Sequence, residues 1–125
     1  MATVYTSVGE AQVTDYTTGD ASPPADFYIG WGTGTGAVKG STDLVTPATE
    51  GRVAAVETQP LADKAQWVAT ITADGTKTIS EAGLFDAVGA GSPPSGGNLL
   101  IHGDFTGIAL DISDKIEFTI TLEQT

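Results

Sequence analysis

From residue 114 to residue 123 apolar and polar side chains alternate almost without a break. Ile116, Phe118, Ile120 and Leu122 take the even positions, while Lys115, Glu117, Thr119, Thr121 and Glu123 take the odd ones. Successive side chains of a β-strand point to opposite faces, so this spacing specifies a strand with one dry face and one wet one. A strand of that kind must cover its apolar side with a second layer, which commits the chain to a layered β architecture.

Weaker versions of the pattern recur along the chain. Residues 66–73 place Trp67, Ala69 and Ile71 on one face and Thr70 and Thr72 on the other. Residues 78–85 and 98–105 read as two more strands, separated by the Gly/Pro/Ser-rich loop 89–97. Asp74-Gly75 supplies turn chemistry, which predicts a hairpin between 66–73 and 78–85. Phe27, Ile29 and Trp31 alternate with Tyr28 and Gly30 in a strand that ends at the Gly-Thr repeat, and residues 50–58 form a less regular one. Residues 2–8 predict an edge strand, with 1–10 as an alternative N-terminal arm; deletion of 2–8 is expected to leave the domain folded. Residues 15–26, with Ser22-Pro23-Pro24, read as a loop, and Pro60 suits the start of a short helical turn over 61–65. No long helix is expected, because the strong helix formers are sparse beside abundant Thr and Val, 16 Gly and 6 Pro.

About seven short strands joined by turns and two Gly/Pro-rich loops predict an all-β, single-domain β-sandwich, jelly-roll-like, over residues 1–125. No cysteine is present, so neither disulfides nor thiolate chemistry enter. The formal charge of −11 gives no electrostatic reason to approach nucleic acid or an anionic membrane. No apolar run has the length of a membrane helix, and the first residues show neither a basic segment nor an apolar stretch, so the expected site of synthesis is the cytoplasm of the producing cell.

Candidate chemistry is thin. Gly32-x-Gly34-x-x-Ala37 has the outline of a dinucleotide fingerprint, but Gly40 and Pro47 oppose the helix that must follow to hold a pyrophosphate. The stretch reads instead as a tight loop at a strand end, with Trp31 in the core or at an interface. His102, the only histidine, shares a face with Asp104 and reads as a satisfied surface or interface residue. Asp104, Asp111 and Asp114 offer oxygen ligands of the kind calcium takes, without the order of an EF-hand loop. Glu81 and Asp86 flank Ala82-Gly83-Leu84-Phe85, and nothing in the sequence sets them across a cleft. The chain reads as no enzyme, with no cofactor and no metal; a small hydrolase using His102 is the catalytic alternative.

Two stretches carry a resemblance. The first is Phe27-Tyr28-Ile29-Gly30-Trp31-Gly32-Thr33-Gly34, followed by Thr42-Asp43-Leu44 and Glu50-Gly51-Arg52-Val53. The second runs from Ala73-Asp74-Gly75-Thr76 through Ile79-Ser80-Glu81-Ala82-Gly83-Leu84-Phe85-Asp86, with Asn98-Leu99-Leu100-Ile101-His102 and Ile116-Glu117-Phe118-Thr119-Ile120 beyond it. Across residues 27–122 this order resembles small virion proteins of tailed bacteriophages. In those proteins a Gly-Thr-Gly segment precedes an Ile-x-Glu-Ala-Gly-Leu-Phe-Asp segment.

Proteins of this appearance are described as capsid decoration (cement) proteins or as tail and fibre components. The resemblance implies a structural protein bound to the major capsid protein on the outside of the head, as a homotrimer, made in the host cytoplasm. Val4, Tyr5, Tyr28 and Trp31 are the candidate partner contacts. The alternative is a tail-tip or fibre-associated module that binds a receptor or glycan through Tyr28, Trp31 and Asn98.

Overall fold

The computed structural model describes residues 2–124. In chain order the elements are β1 (Ala2–Tyr5), α1 (Ser7–Thr18), β2 (Tyr28–Gly32), β3 (Val53–Ala54), β4 (Val56–Leu61), β5 (Lys64–Thr72), β6 (Lys77–Phe85), β7 (Leu99–Leu110) and β8 (Lys115–Glu123). They form two antiparallel sheets, one of five strands in the order β1-β7-β6-β2-β3 and one of three in the order β4-β5-β8. The architecture is all-β and sandwich-like. No described helix is long and apolar enough to cross a membrane.

The alternation in β8 does what its spacing requires. Ile116, Phe118, Ile120 and Leu122 turn toward the five-stranded sheet, and β5 contributes Trp67, Ala69 and Ile71 to the same layer. Ile29, Trp31, Ile79, Leu84 and Ile101 face them from β2, β6 and β7. The Trp31 ring stands edge-on to Phe118 at 6.2 Å, and Phe27 does the same to Trp67 at 5.8 Å, so aromatic pairs tie one sheet to the other.

The expected hairpin between 66–73 and 78–85 does not form. β5 pairs with β4 and β8, whereas β6 pairs with β2 and β7. Residues 73–76 are therefore a corner between sheets. The Ala73 amide donates to Asp114 O at 2.7 Å and its carbonyl accepts from Ser113 N at 2.9 Å, which keeps the end of β5 with the 111–114 turn while the chain crosses over. The expected strand over 50–58 divides likewise. β3 joins the large sheet and β4 the small one, and between them the Ala55 amide donates to Phe27 O at 2.8 Å. No helical turn occupies 61–65: Pro60 lies in β4, an edge strand where its missing N–H costs no ladder bond.

The main departure from expectation is α1, which takes residues assigned to an edge strand and a loop. Its amphipathic pattern is weak, and Gly9 is its one buried residue. What holds it is anchorage at its first turn. Thr6, fully buried, caps the helix by accepting from Gly9 N at 2.9 Å, and its hydroxyl donates to Leu99 O at 2.6 Å. Gly19, at φ 84°, ends it.

β1 is an edge strand, as expected, paired with β7 from Ala2↔Asp104 to Tyr5↔Ile101. It is not a detachable arm, because the cap that follows it is built into the β7 backbone. Gly9 packs so closely on β7 that a Cβ there would run into Leu100 O and lie 2.8 Å from Leu100 Cα. Gly9→Ala is therefore expected to lower stability by about 2 kcal/mol, the scale of an overpacked core, although Ala is the better helix former by roughly 1 kcal/mol. A urea midpoint equal to or above that of the parent protein would show that this close approach is not what seats the helix.

Candidate interaction surface and the clamps beneath it

Glu81 lies on β6, on the face of the large sheet turned away from the sandwich core, and is fully buried. Its side chain is covered by the segment 33–47, which leaves β2 at the Gly-Thr repeat and returns along it. Glu81 Oε2 accepts from Gly34 N at 2.9 Å and Thr46 N at 2.8 Å. Oε1 accepts from Val45 N at 2.8 Å and from His102 Nε2 at 2.8 Å. Burial alone would push this carboxyl up. The hydrogen bonds from His102 and from the Thr46, Val45 and Gly34 amides outweigh it and hold the group below the ordinary carboxylate value.

Directly across the β6–β7 ladder from Glu81 stands Asp104. Two opposed carboxylates repel. Here Asp104 Oδ2 accepts from Gly36 N at 2.8 Å and Ala37 N at 2.9 Å, so the two acids hold successive parts of one loop. The Gly-rich stretch thus behaves as an anion-binding loop, and its anions are the protein's own side chains. At Gly34 a Cβ would sit 2.7 Å from Val45 Cβ and 2.8 Å from Glu81 Oε2, so only glycine lets the loop close on the carboxylate.

His102, expected as a satisfied surface or interface residue, is satisfied by Glu81 but fully buried. Ser41 Oγ lies 3.0 Å from His102 Nδ1, which sets hydroxyl, imidazole and carboxylate in the order of an acyl-transfer triad. The surroundings differ from such a site. Glu81 is bonded to three loop amides as well as the imidazole, and Ser41 Oγ also accepts from Val38 N at 3.1 Å. The Gly36 and Ala37 amides, which could cradle an oxyanion, are held by Asp104. The chain of contacts fixes the loop.

Three further clamps hold the neighbouring segments. Arg52 lies over the Phe85 ring at 3.6 Å and donates to Ala87 O at 3.0 Å and Gly96 O at 2.8 Å, closing the base of the 89–97 loop. Asp86 accepts from Asn98 N at 2.7 Å and Asn98 Nδ2 at 2.8 Å. Glu50 accepts from Trp31 Nε1 at 3.0 Å and Asp74 N at 2.9 Å and is ion-paired with Lys77. Burial raises the Glu50 carboxyl, and these partners outweigh it, so it too sits low.

Comparisons with protein-family models, with curated proteins and with solved structures find no match to this chain.

Of the candidate contacts, Trp31 is corrected: at 2 % exposure, with its indole bonded to Glu50, it belongs to the core. Tyr28 is half-buried between Phe85 of β6 and Ala54 of the edge strand β3. Val4 and Tyr5 lie at the β1 edge of the large sheet, with β7 and β6 between them and Tyr28, so the four do not form one patch. Nor do Tyr28, Trp31 and Asn98 form a sugar platform, since the indole is buried and the Asn98 amide is committed to Asp86. Asp111 and Asp114 close their own turn through Asp111 N to Asp114 Oδ2 at 2.8 Å. Among the described residues no group of three or more metal-ligating side chains converges.

What the clamped loop does present is Val38, 58 % exposed, and Val45, 54 % exposed. Neither belongs to a strand pattern, and only their place on a Gly-rich loop signalled them. Glu81→Gln tests the clamp. One carboxamide cannot accept at both of its terminal atoms, so its NH2 would face two N–H donors. A loss of about 3 kcal/mol at pH 7 is expected, the cost of breaking a buried charged pair. Because the folded carboxyl titrates below its ordinary 4.5, its contribution is full above that pH and fades as pH falls through the lower folded value. The gap between parent and variant in urea titrations should therefore narrow below about pH 4; a gap independent of pH would mean that the charge is not what holds the loop.

Proposed function

We propose that this protein is a structural component of a tailed-bacteriophage virion that binds the outside of the capsid and stabilises it, acting by binding and not by catalysis. The observation that carries the reading is the 33–47 loop, pinned by Glu81 and Asp104 while it holds Val38 and Val45 out to solvent. A loop fixed in advance loses little freedom on docking, so even a modest apolar contact yields useful affinity. Binding an assembled shell, and not its free subunits, stabilises the shell by mass action.

The resemblance described above supplies the setting, and the clamps give its motif a physical role. In Ile79-Ser80-Glu81-Ala82-Gly83-Leu84-Phe85-Asp86, Glu81 holds one loop, Phe85 seats Arg52 for a second, and Asp86 fixes Asn98 at the start of β7. These are residues that shape a surface. The charge of −11 suits the outer face of a head, away from packaged DNA. The partner in this reading is the major capsid protein.

Quantitative mass spectrometry of separated heads and tails tests the location. Copies in proportion to the major capsid protein are expected; copies that follow the tails would overturn the proposal. On heads, the Val38→Asp variant should lose most of its occupancy while its melting temperature stays within a few degrees, since a substitution at an exposed side chain changes stability by only about 0.5 kcal/mol.

A further inference from the structure

Four strands end a sheet, and three of them are short or guarded. β3 has two residues and β1 four, while β4 carries Pro60 and a register shift between Thr58 and Leu61. Such devices stop one edge from pairing with another chain. β8 has none of them. It keeps nine residues in unbroken register with β5, contains neither proline nor glycine, and hydrogen-bonds to no other described strand. Its apolar side chains are only half-buried, and a cavity of about 340 Å³ opens beside it between the sheets, lined by Phe118 and Ile120 together with Thr3, Ile101 and Phe105.

We infer that β8 pairs with β8 of a second copy of this chain, antiparallel about a two-fold axis at Thr119, joining two three-stranded sheets into one of six strands. Directly opposed residues of antiparallel strands share a face, so the apolar side of one copy must meet the apolar side of the other. That requires the axis to fall on a residue. At Thr119 it sets Phe118 against Ile120 and Ile116 against Leu122 of the second copy, aligns all nine residues, and places Lys115 opposite Glu123 twice over.

Other axes lose this match. An axis at Ile120 opposes Glu117 to Glu123, one at Glu117 opposes that residue to itself, and one at Phe118 leaves Lys115 facing Thr121.

Charge supports the same register. The chain has five basic residues. Lys39, Arg52, Lys64 and Lys77 each have an acidic partner within 4.0 Å. Among the described residues Lys115 is the one basic side chain with no such partner, and it lies at one end of the unguarded edge. At the other end Lys64 Nζ is 3.8 Å from Glu123, so pairing would set Glu123 between two lysines. The assembly is two-fold, in place of the three-fold one that the resemblance implies, and it does not depend on a capsid role.

Sedimentation equilibrium of the full chain is the test. A species of twice the 12.7 kDa chain mass is expected. Lys115→Glu should raise the dimer Kd about tenfold by setting like charges opposite each other. Adding Glu123→Lys to the same chain should recover much of the lost affinity, because the exchanged charges again oppose across the two copies, and only part of it because the Lys64 pair with Glu123 is lost; near-parent melting temperatures confirm that both variants fold. A monomer at every concentration, a trimer, or a double variant that stays as weak as Lys115→Glu would each overturn the proposal.

Discussion

The Glu81 carboxylate is the contact on which the outer half of the molecule depends. A glutamate with no accessible surface is costly unless every oxygen lone pair finds a donor. Here the donors come from both ends of a Gly-rich loop and from His102, so the loop cannot leave without stranding a buried charge. That requirement makes 33–47 a built part of the fold with little regular structure of its own. It also gives the large sheet two covered faces, one packed on the small sheet and one covered largely by loop backbone, with Leu44 resting on Phe85 and Leu99.

The logic of the loop is that of a phosphate-binding loop turned inward. Consecutive amides without side chains in the way form a concave donor surface that suits an anion. In a nucleotide site the anion is the ligand. Here Glu81 and Asp104 occupy that role, and the donors are spent on holding the molecule's shape. Glycine spacing alone does not distinguish the two uses; what separates them is whether an acid stands across the neighbouring strands.

Legibility in the sequence followed the physics of each element. β8 and the core face of β5 could be read because a period of two has one structural meaning when one side is dry. The sheet assignment of β5 and β6 could not, because Asp74-Gly75 suits a hairpin and a corner between sheets equally well; the decision lies in the bonds from Ala73 to Ser113 and Asp114, distant in sequence. α1 escaped because a Thr- and Val-rich stretch with Gly9 has little helical propensity and almost no apolar stripe. Thr6 ahead of it and Gly19 behind it were the available signals. Trp31 was legible as a large aromatic at a strand end, but its burial depends on Glu50, whose role no local pattern announces. The His102–Glu81 pair was hidden for the same reason: strand pairing brings together residues 21 apart.

The pairing of β1 with β7 has a consequence for the order of events during synthesis. Thr6 bonds to residues 93 and 94 positions further along the chain. The small sheet is no more local, since Lys64 pairs with Glu123. Each sheet therefore lacks a strand until β7 and β8 have been made. The first residues wait as an open strand, and the apolar face of β5 waits for β8. Folding of this kind waits on contacts between distant segments and proceeds at the slow pace of such topologies. A strongly acidic chain is suited to that wait, because nascent copies bearing the same charge keep one another at a distance while their edges are still open.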